Sequence, residues 1–348
     1  MLNTKNKTQL LRFLRSEWQT DRYASWLHGR SVYFVCEEEV LCLSSEDGVK
    51  TVATHVELLY SEQEEADTRI ILHCLFAASS EPVNIIVRSP DTDVLILLLY
   101  YCATIKLPVY FDTGTGNKRR LIDVKSIAAA VGSEVCSALP GLHHLPDATI
   151  HAFVRRGKVK AFKLLLKHQE LMPVFLDLGK TVTLSDEISV GLEKFVCAMY
   201  GRPSYSDANK LRYDLFSSRY EMKSESKPFT MSQGVDLCLL PPCRSSLIMH
   251  SRRANYVAHV WRNSHIAYAK IPSPVDFGWK YITDSLVVDW NEGDIMPQQL
   301  VDILDTTDSQ SSRLDCEEIE EVKLEEVEED CEIDNIVDVI FEDDESMN

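Results

Sequence analysis

Between residues 62 and 131, short runs of strand character alternate with longer runs of helical character, and this alternation constrains the fold more than any other stretch. Val83–Arg88 and Leu107–Phe111 are rich in β-branched and aromatic residues and end at turn-forming sequence. Residues 62–79, 93–104 and 124–131 carry the apolar periodicity of helices. Strands interleaved with helices predict an α/β protein, with a mostly parallel sheet flanked by helices. Upstream, Leu10, Leu11, Phe13, Leu14 and Trp18 predict an amphipathic helix over 3–18. Val32–Val35 and Val40–Leu43 predict a hairpin, and Ser61 a cap for helix 62–79. From about 133 the chain reads as helical, with candidates at 133–139, 158–168, 185–200, 206–218 and 245–263. A short β end follows at 279–282 and 286–290. The expected organisation is an α/β core over 1–132, a helical region over 133–300, and a disordered acidic tail over 301–348.

The formal charge of −18 belongs to that tail. Residues 302–348 hold 20 of the 54 acidic side chains and only two of the 36 basic ones, Arg313 and Lys323, which leaves 34 acids against 34 bases in residues 1–301. An acid-rich segment with few aromatics cannot bury enough surface to fold alone. It is suited to basic protein partners or to the protein's own basic surface. The ten cysteines are scattered without a C-x-x-C pair, which excludes a zinc ribbon and fits reduced thiols. Cys238 and Cys243 come closest to a metal pair. Met1–Thr20 is too polar for a signal peptide, and Val94–Ile105 is too short to span a bilayer. These features predict an intracellular protein of nucleus or cytoplasm, with no membrane partner.

Two acidic motifs carry the chemistry. Glu64-Glu65-Ala66-Asp67 opens the helix at 62–79, and Asp91-Thr92-Asp93 directly follows the strand at 83–88. Ligands of open α/β sheets bind beyond the carboxyl ends of the strands. Mg²⁺ or Mn²⁺ takes oxygen ligands, and a pair of such ions can clamp a phosphodiester. Glu65, Asp67, Asp91 and Asp93 are therefore candidate metal ligands and catalytic residues; helix capping is the competing role, and the two can coexist. Asp112 is either a fifth carboxylate or a solvated loop acid. Thr113-Gly114-Thr115-Gly116-Asn117 reads as a turn, since it lacks Walker-A spacing, and Lys118, Arg119 and Arg120 form a candidate backbone-contacting patch. Arg155, Arg156, Gly157, Lys158, Lys160 and Lys163 place bases around a helix start, suited to the phosphates of DNA or RNA; an ordinary lysine-rich helix is the alternative. Histidines 143, 144 and 151 lack a neighbouring acid or thiol at metal spacing, and His73 reads as a core histidine.

The segments EEADTR (64–69), RSPDTDVL (88–95), FDTGTGNKRR (111–120), LPGLH (139–143), GKVKA (157–161), RANYVAHVW (253–261) and IPSPVDFGW (271–279) together resemble a transposon-associated animal family. That family has a PIN-like fold related to the flap endonucleases. The resemblance implies that Glu65 and Asp67, then Asp91 and Asp93, occupy the positions that hold two Mg²⁺ ions in those nucleases. It also implies that GKVKA lies in a helix-turn-helix element gripping a duplex. Three departures accompany it. The family's first strand, ending in an aspartate, has no counterpart between Met1 and Asn6-Lys7-Thr8. A Gly-Cys-Asp segment is replaced by the shorter His144–His151, where Asp147 is the one acid and the candidate catalytic substitute if the loop shifts. A cysteine-rich end is replaced by the acidic tail. The expectation is a degenerate nuclease-fold protein with impaired catalysis and weak nucleic-acid binding. An active Mg²⁺-dependent endonuclease and a tail-driven interaction module are the alternatives.

Overall fold

A computed structural model of the chain describes residues 4–80, 82–147, 157–218, 239–293 and 339–340. The chain forms two compact units. One holds Met1–Lys125 with Asn263–Ile271, the other Ser126–Arg262 with Pro272–Asn348.

The first unit opens with α1 (Thr4–Trp18) and the short α2 (Ala24–Leu27), then an antiparallel sheet of β1 (Val32–Cys36), β2 (Glu39–Ser44) and β3 (Val52–His55). The predicted hairpin is present, with Val35 opposite Val40 and a tight turn at Glu37 and Glu38. Glu37 takes a positive φ of 56°, which is uncommon outside glycine, and three arginines hold the turn. Arg12 pairs with Glu37 at 2.6 Å and Arg15 with Glu39 at 2.7 Å. Buried Arg69 donates to the carbonyls of Glu37 and, at 3.0 Å, Glu38. β3 left no signal in the sequence because all four of its residues are exposed.

Next come α3 (Ala66–Ala78), β4 (Ile85–Arg88), α4 (Thr92–Tyr101), β5 (Val109–Thr113) and β6 (Arg120–Asp123). Val94–Leu99 are all buried, as expected of a helix apolar on every side. β4 and β5 pair in parallel, but β6 returns antiparallel to β5, so the sheet is mixed and small rather than mostly parallel. The tight loop between β5 and β6 explains the difference. Gly114 has φ +74°, and a Cβ there would stand 2.3 Å from the Lys118 carbonyl oxygen; this hairpin replaces the helical crossover that a parallel neighbour requires. Ser61 does not cap α3. It is buried, and its hydroxyl donates to the Ala267 carbonyl at 2.8 Å, so the helix starts at Ala66 behind Glu65. The returning segment 263–271 is thereby stitched in, and Gln63 adds bonds to the carbonyls of Ser264 and Ile266.

The second unit is helical: α5 (Val124–Val131, starting at the boundary), α6 (Ser133–Asp147), α7 (Lys158–Lys167), α8 (Met172–Asp177), α9 (Asp186–Met199), α10 (Ala208–Ser217) and α11 (Arg244–Arg262), then the hairpin of β7 (Trp279–Ile282) and β8 (Ser285–Val288). Side chains of Ser185 and Asp207 cap α9 and α10. α6 runs past its predicted end at 139, through Pro140 and Pro146. An interior proline costs about 3 kcal/mol. Here that cost is offset by burial of Leu139, Leu142 and Leu145, at about 1.5–3 kcal/mol each, on a helix packed against α8 and α11.

α11 is the spine of this unit. Asn255 accepts from the Gly179 N–H at 2.8 Å and donates to the carbonyls of Thr181 and Val182. Arg253, with 1% of its surface exposed, donates to the carbonyls of Gly278 and Asp289. Gly278 fits because a Cβ there would stand 2.5 Å from Arg253 Cγ. The RANYVAHVW and IPSPVDFGW segments therefore grip one another. The tail expected to be disordered lies outside the described residues, apart from helical Val339 and buried Ile340. No described helix is long and apolar enough to cross a membrane.

Candidate functional site

The two acidic motifs sit at the N-termini of two packed helices of the first unit. Glu65 occupies the N-cap position of α3 in extended conformation, and Asp67 lies in the first turn. Asp91 caps α4: its carboxylate accepts from the Asp93 N–H at 3.0 Å, and Asp93 sits in that helix's first turn. Capping is thus a real role for Asp91. A carboxylate has further lone pairs, and each helix dipole favours negative charge at its N-terminus.

The electrostatics bring the four side chains together. The Glu65 carboxyl is pushed above its ordinary value first by burial, then by the charges of Asp67, Asp93, Glu64 and Asp91. Asp67 is pushed up by burial and then by Asp91 and Asp93. Among the described residues no cationic side chain contributes to either shift, and the acids of α3 and α4 repel one another. Among the described residues no three His, Cys, Asp or Glu side chains stand close enough to hold a metal ion directly. The described residues therefore do not present a closed two-ion centre.

Asp112 is neither a fifth ligand nor a solvated loop acid. It ends β5 with 3% of its surface exposed, and it accepts from Arg88 at 2.8 Å and from both forks of Arg119 at 2.8 and 2.7 Å. Hydrogen bonding from Arg119, then Arg88, holds its carboxyl below the usual range. The same geometry corrects the basic patch. Arg119 commits its guanidinium to Asp112, Lys118 is exposed at the end of a short 3-10 turn, and Arg120 pairs opposite Thr113 in β6. The three do not act as one phosphate-facing set.

The other predicted bases lie in the second unit. Gly157 is the N-cap of α7, with open space where a Cβ would stand. Lys158, Lys160 and Lys163 are half-buried and Lys167 is exposed, while Ala161, Phe162 and Leu165 face the core. Arg155, Arg156, His151 and Cys238 lie outside the described residues, as does the side chain of Asp147, the last residue of α6. His143 and His144 pack on Trp261 in the buried core, with ring centroids 5.4 and 4.2 Å away.

One cluster went unread in the sequence. Trp18, Tyr23 and Trp26 line a cleft in the first unit, with Leu27 at its side. Three aromatics within nine residues, Trp18 to Trp26, with Arg22 and Arg30 close by, were the available signal. Comparison with family models, curated proteins and solved structures returns no match.

Proposed function

We propose that this chain is a PIN-like, nuclease-type protein of transposon origin, whose acidic pocket takes a hydrated divalent cation and which binds nucleic acid weakly without efficient turnover. The reading rests on the two acidic helix starts: Glu65 and Asp67 at the start of α3 are raised by burial and then by the charges of Asp91 and Asp93 at the start of the packed helix α4. Such a pocket gains by taking up Mg²⁺ or Mn²⁺. The parallel β4–β5 pair, with acids directly beyond β4, also supports a PIN-like arrangement. Against efficient catalysis stand the absence of a closed ligand set among the described residues and the neutralisation of Asp112 by two arginines.

Glu65, Asp67, Asp91 and Asp93 would hold the ion through its waters. When bound, it would neutralise the pocket and polarise a phosphate oxygen. The protein's own contribution is positional: the starts of two packed helices carry the four carboxylates. The test is Mn²⁺ binding by electron paramagnetic resonance, together with incubation of labelled flap, single-stranded and duplex DNA or RNA in Mg²⁺ or Mn²⁺. Saturable Mn²⁺ binding that is lost in Glu65→Gln and Asp91→Asn, without cleavage, is the expected result. Cleavage abolished by Asp91→Ala would establish an active endonuclease instead, and absence of Mn²⁺ binding would remove the reading altogether.

A further inference from the structure

We infer that the cleft between Trp18, Tyr23 and Trp26 is a stacking pocket for one unpaired base of single-stranded nucleic acid. The cleft has a volume of about 270 Å³. That is at the small end of ligand pockets, which hold whole drug-sized molecules at about 300–1,000 Å³, and suits a single planar ring system. Its walls are rings that do not stack on one another. Trp18 and Tyr23 have centroids 6.3 Å apart at 36°, and Trp18 and Trp26 have centroids 6.3 Å apart at 70°. Behind them Trp18 leans on Phe34, and Leu27 belongs to the core cluster with Leu41 and Leu43. The cleft floor is therefore held in place, while Trp26 keeps 52% of its surface exposed at the mouth.

Aromatic cages also accept quaternary ammonium groups, so the charge at the rim decides between ligands. Here Tyr23 and Trp26 each already carry a guanidinium over the ring, and Glu17 at the rim is itself paired with Arg22 at 3.3 Å. Arg22 stands 5.7 Å from the Tyr23 centroid, and Arg30 stands 5.3 Å from the Trp26 centroid, tied by a 2.9 Å bond to the Trp26 carbonyl. A second cation would meet both guanidinium groups. An aromatic ring carried on an anionic backbone would stack on Trp26 and set its phosphates beside them. Only an unpaired base can enter such a cleft, and base–aromatic stacking is tolerant of sequence. The inference rests on the proposed reading only in naming nucleic acid as the polymer.

The test is fluorescence polarisation of a short labelled oligothymidylate with the full chain, in EDTA and at low salt, so that the acidic pocket takes no part. Trp26→Ala should weaken binding by about 10-fold, the worth of roughly one stacked base, and Trp26→Phe should restore most of it. Arg30→Ala should weaken binding and flatten its salt dependence. An unchanged affinity in Trp26→Ala overturns the inference. So does duplex bound as tightly as single strand, or an acidic or trimethyllysine peptide that binds in a Trp26-dependent way while the oligonucleotide does not. Trp26-dependent oligonucleotide binding without any Mn²⁺ uptake would leave this pocket standing and sink the cation reading alone.

Discussion

His250 offers a direct measure of how tightly the second unit is packed. It sits on α11 with 3% of its surface exposed, and its Nε2 bonds to the carbonyl of Leu145 on α6. Because that partner is an acceptor, the neutral ring donates from Nε2. Burial, and then the nearby Arg253 charge, outweigh the carbonyl and push the imidazole down to about 4. The unfolded chain returns it to about 6.5. Between those values the unfolded state binds more protons than the folded one, so the contribution is complete above about pH 6.5 and is lost as pH falls towards 4. At about 1.4 kcal/mol per pH unit the whole effect is roughly 3 kcal/mol, of which about 2 kcal/mol is lost by pH 5. The perturbation is His250→Gln, whose amide can still donate to Leu145 but does not titrate. Urea unfolding at pH 7 and pH 5, followed by tryptophan fluorescence, gives the difference between wild type and variant at each pH. Other titrating groups cancel in that difference. The variant should be the less stable protein at pH 7 and should close about 2 kcal/mol of the gap by pH 5. A gap that stays constant refutes a buried, neutral His250.

Two further outcomes test the first unit. Glu65→Gln removes a carboxyl that burial and four neighbouring acids disfavour, so it should raise the thermal midpoint at pH 7. Wild type should itself gain stability as pH falls through the raised carboxyl value towards about 4.3, the sign opposite to His250, and a variant less stable than wild type at pH 7 would contradict the acid cluster. Arg69→Met removes two charge-assisted bonds to the hairpin turn, each worth about 1.5–3 kcal/mol, partly offset by relief of desolvation. It should cost about 2–4 kcal/mol in urea unfolding, and a loss under about 0.5 kcal/mol would show that the turn holds without its clamp.

Among the motif arginines, Arg69 and Arg253 show why residue type alone misleads. In the sequence each is a basic residue in a nucleic-acid-like motif. In the fold each is buried and spends its fork on backbone carbonyls of a distant turn. Arg119 likewise belongs to Asp112, seven residues away across a loop. Periodicity gives which segments become helices, but hydrogen-bond partners depend on what the chain brings alongside.

By itself, the sequence determined the local elements. The helices at 4–18, 92–101, 186–199 and 244–262 and the strands at 32–36, 39–44 and 85–88 fall close to their predicted places because patterns of two and 3.6 residues register burial within one element. β3, β6, α2 and α8 were not legible in the sequence. It also placed Glu65, Asp67, Asp91 and Asp93 at helix starts. What only the tertiary structure decided is pairing. The antiparallel return of β6 follows from a close approach at Gly114, and the insertion of 263–271 into the first unit follows from Ser61 and Gln63 meeting backbone some 200 residues on. The repulsion among four acids and the cleft between Trp18, Tyr23 and Trp26 have the same origin. Charge and ring interactions depend on distances between side chains, which packing alone sets.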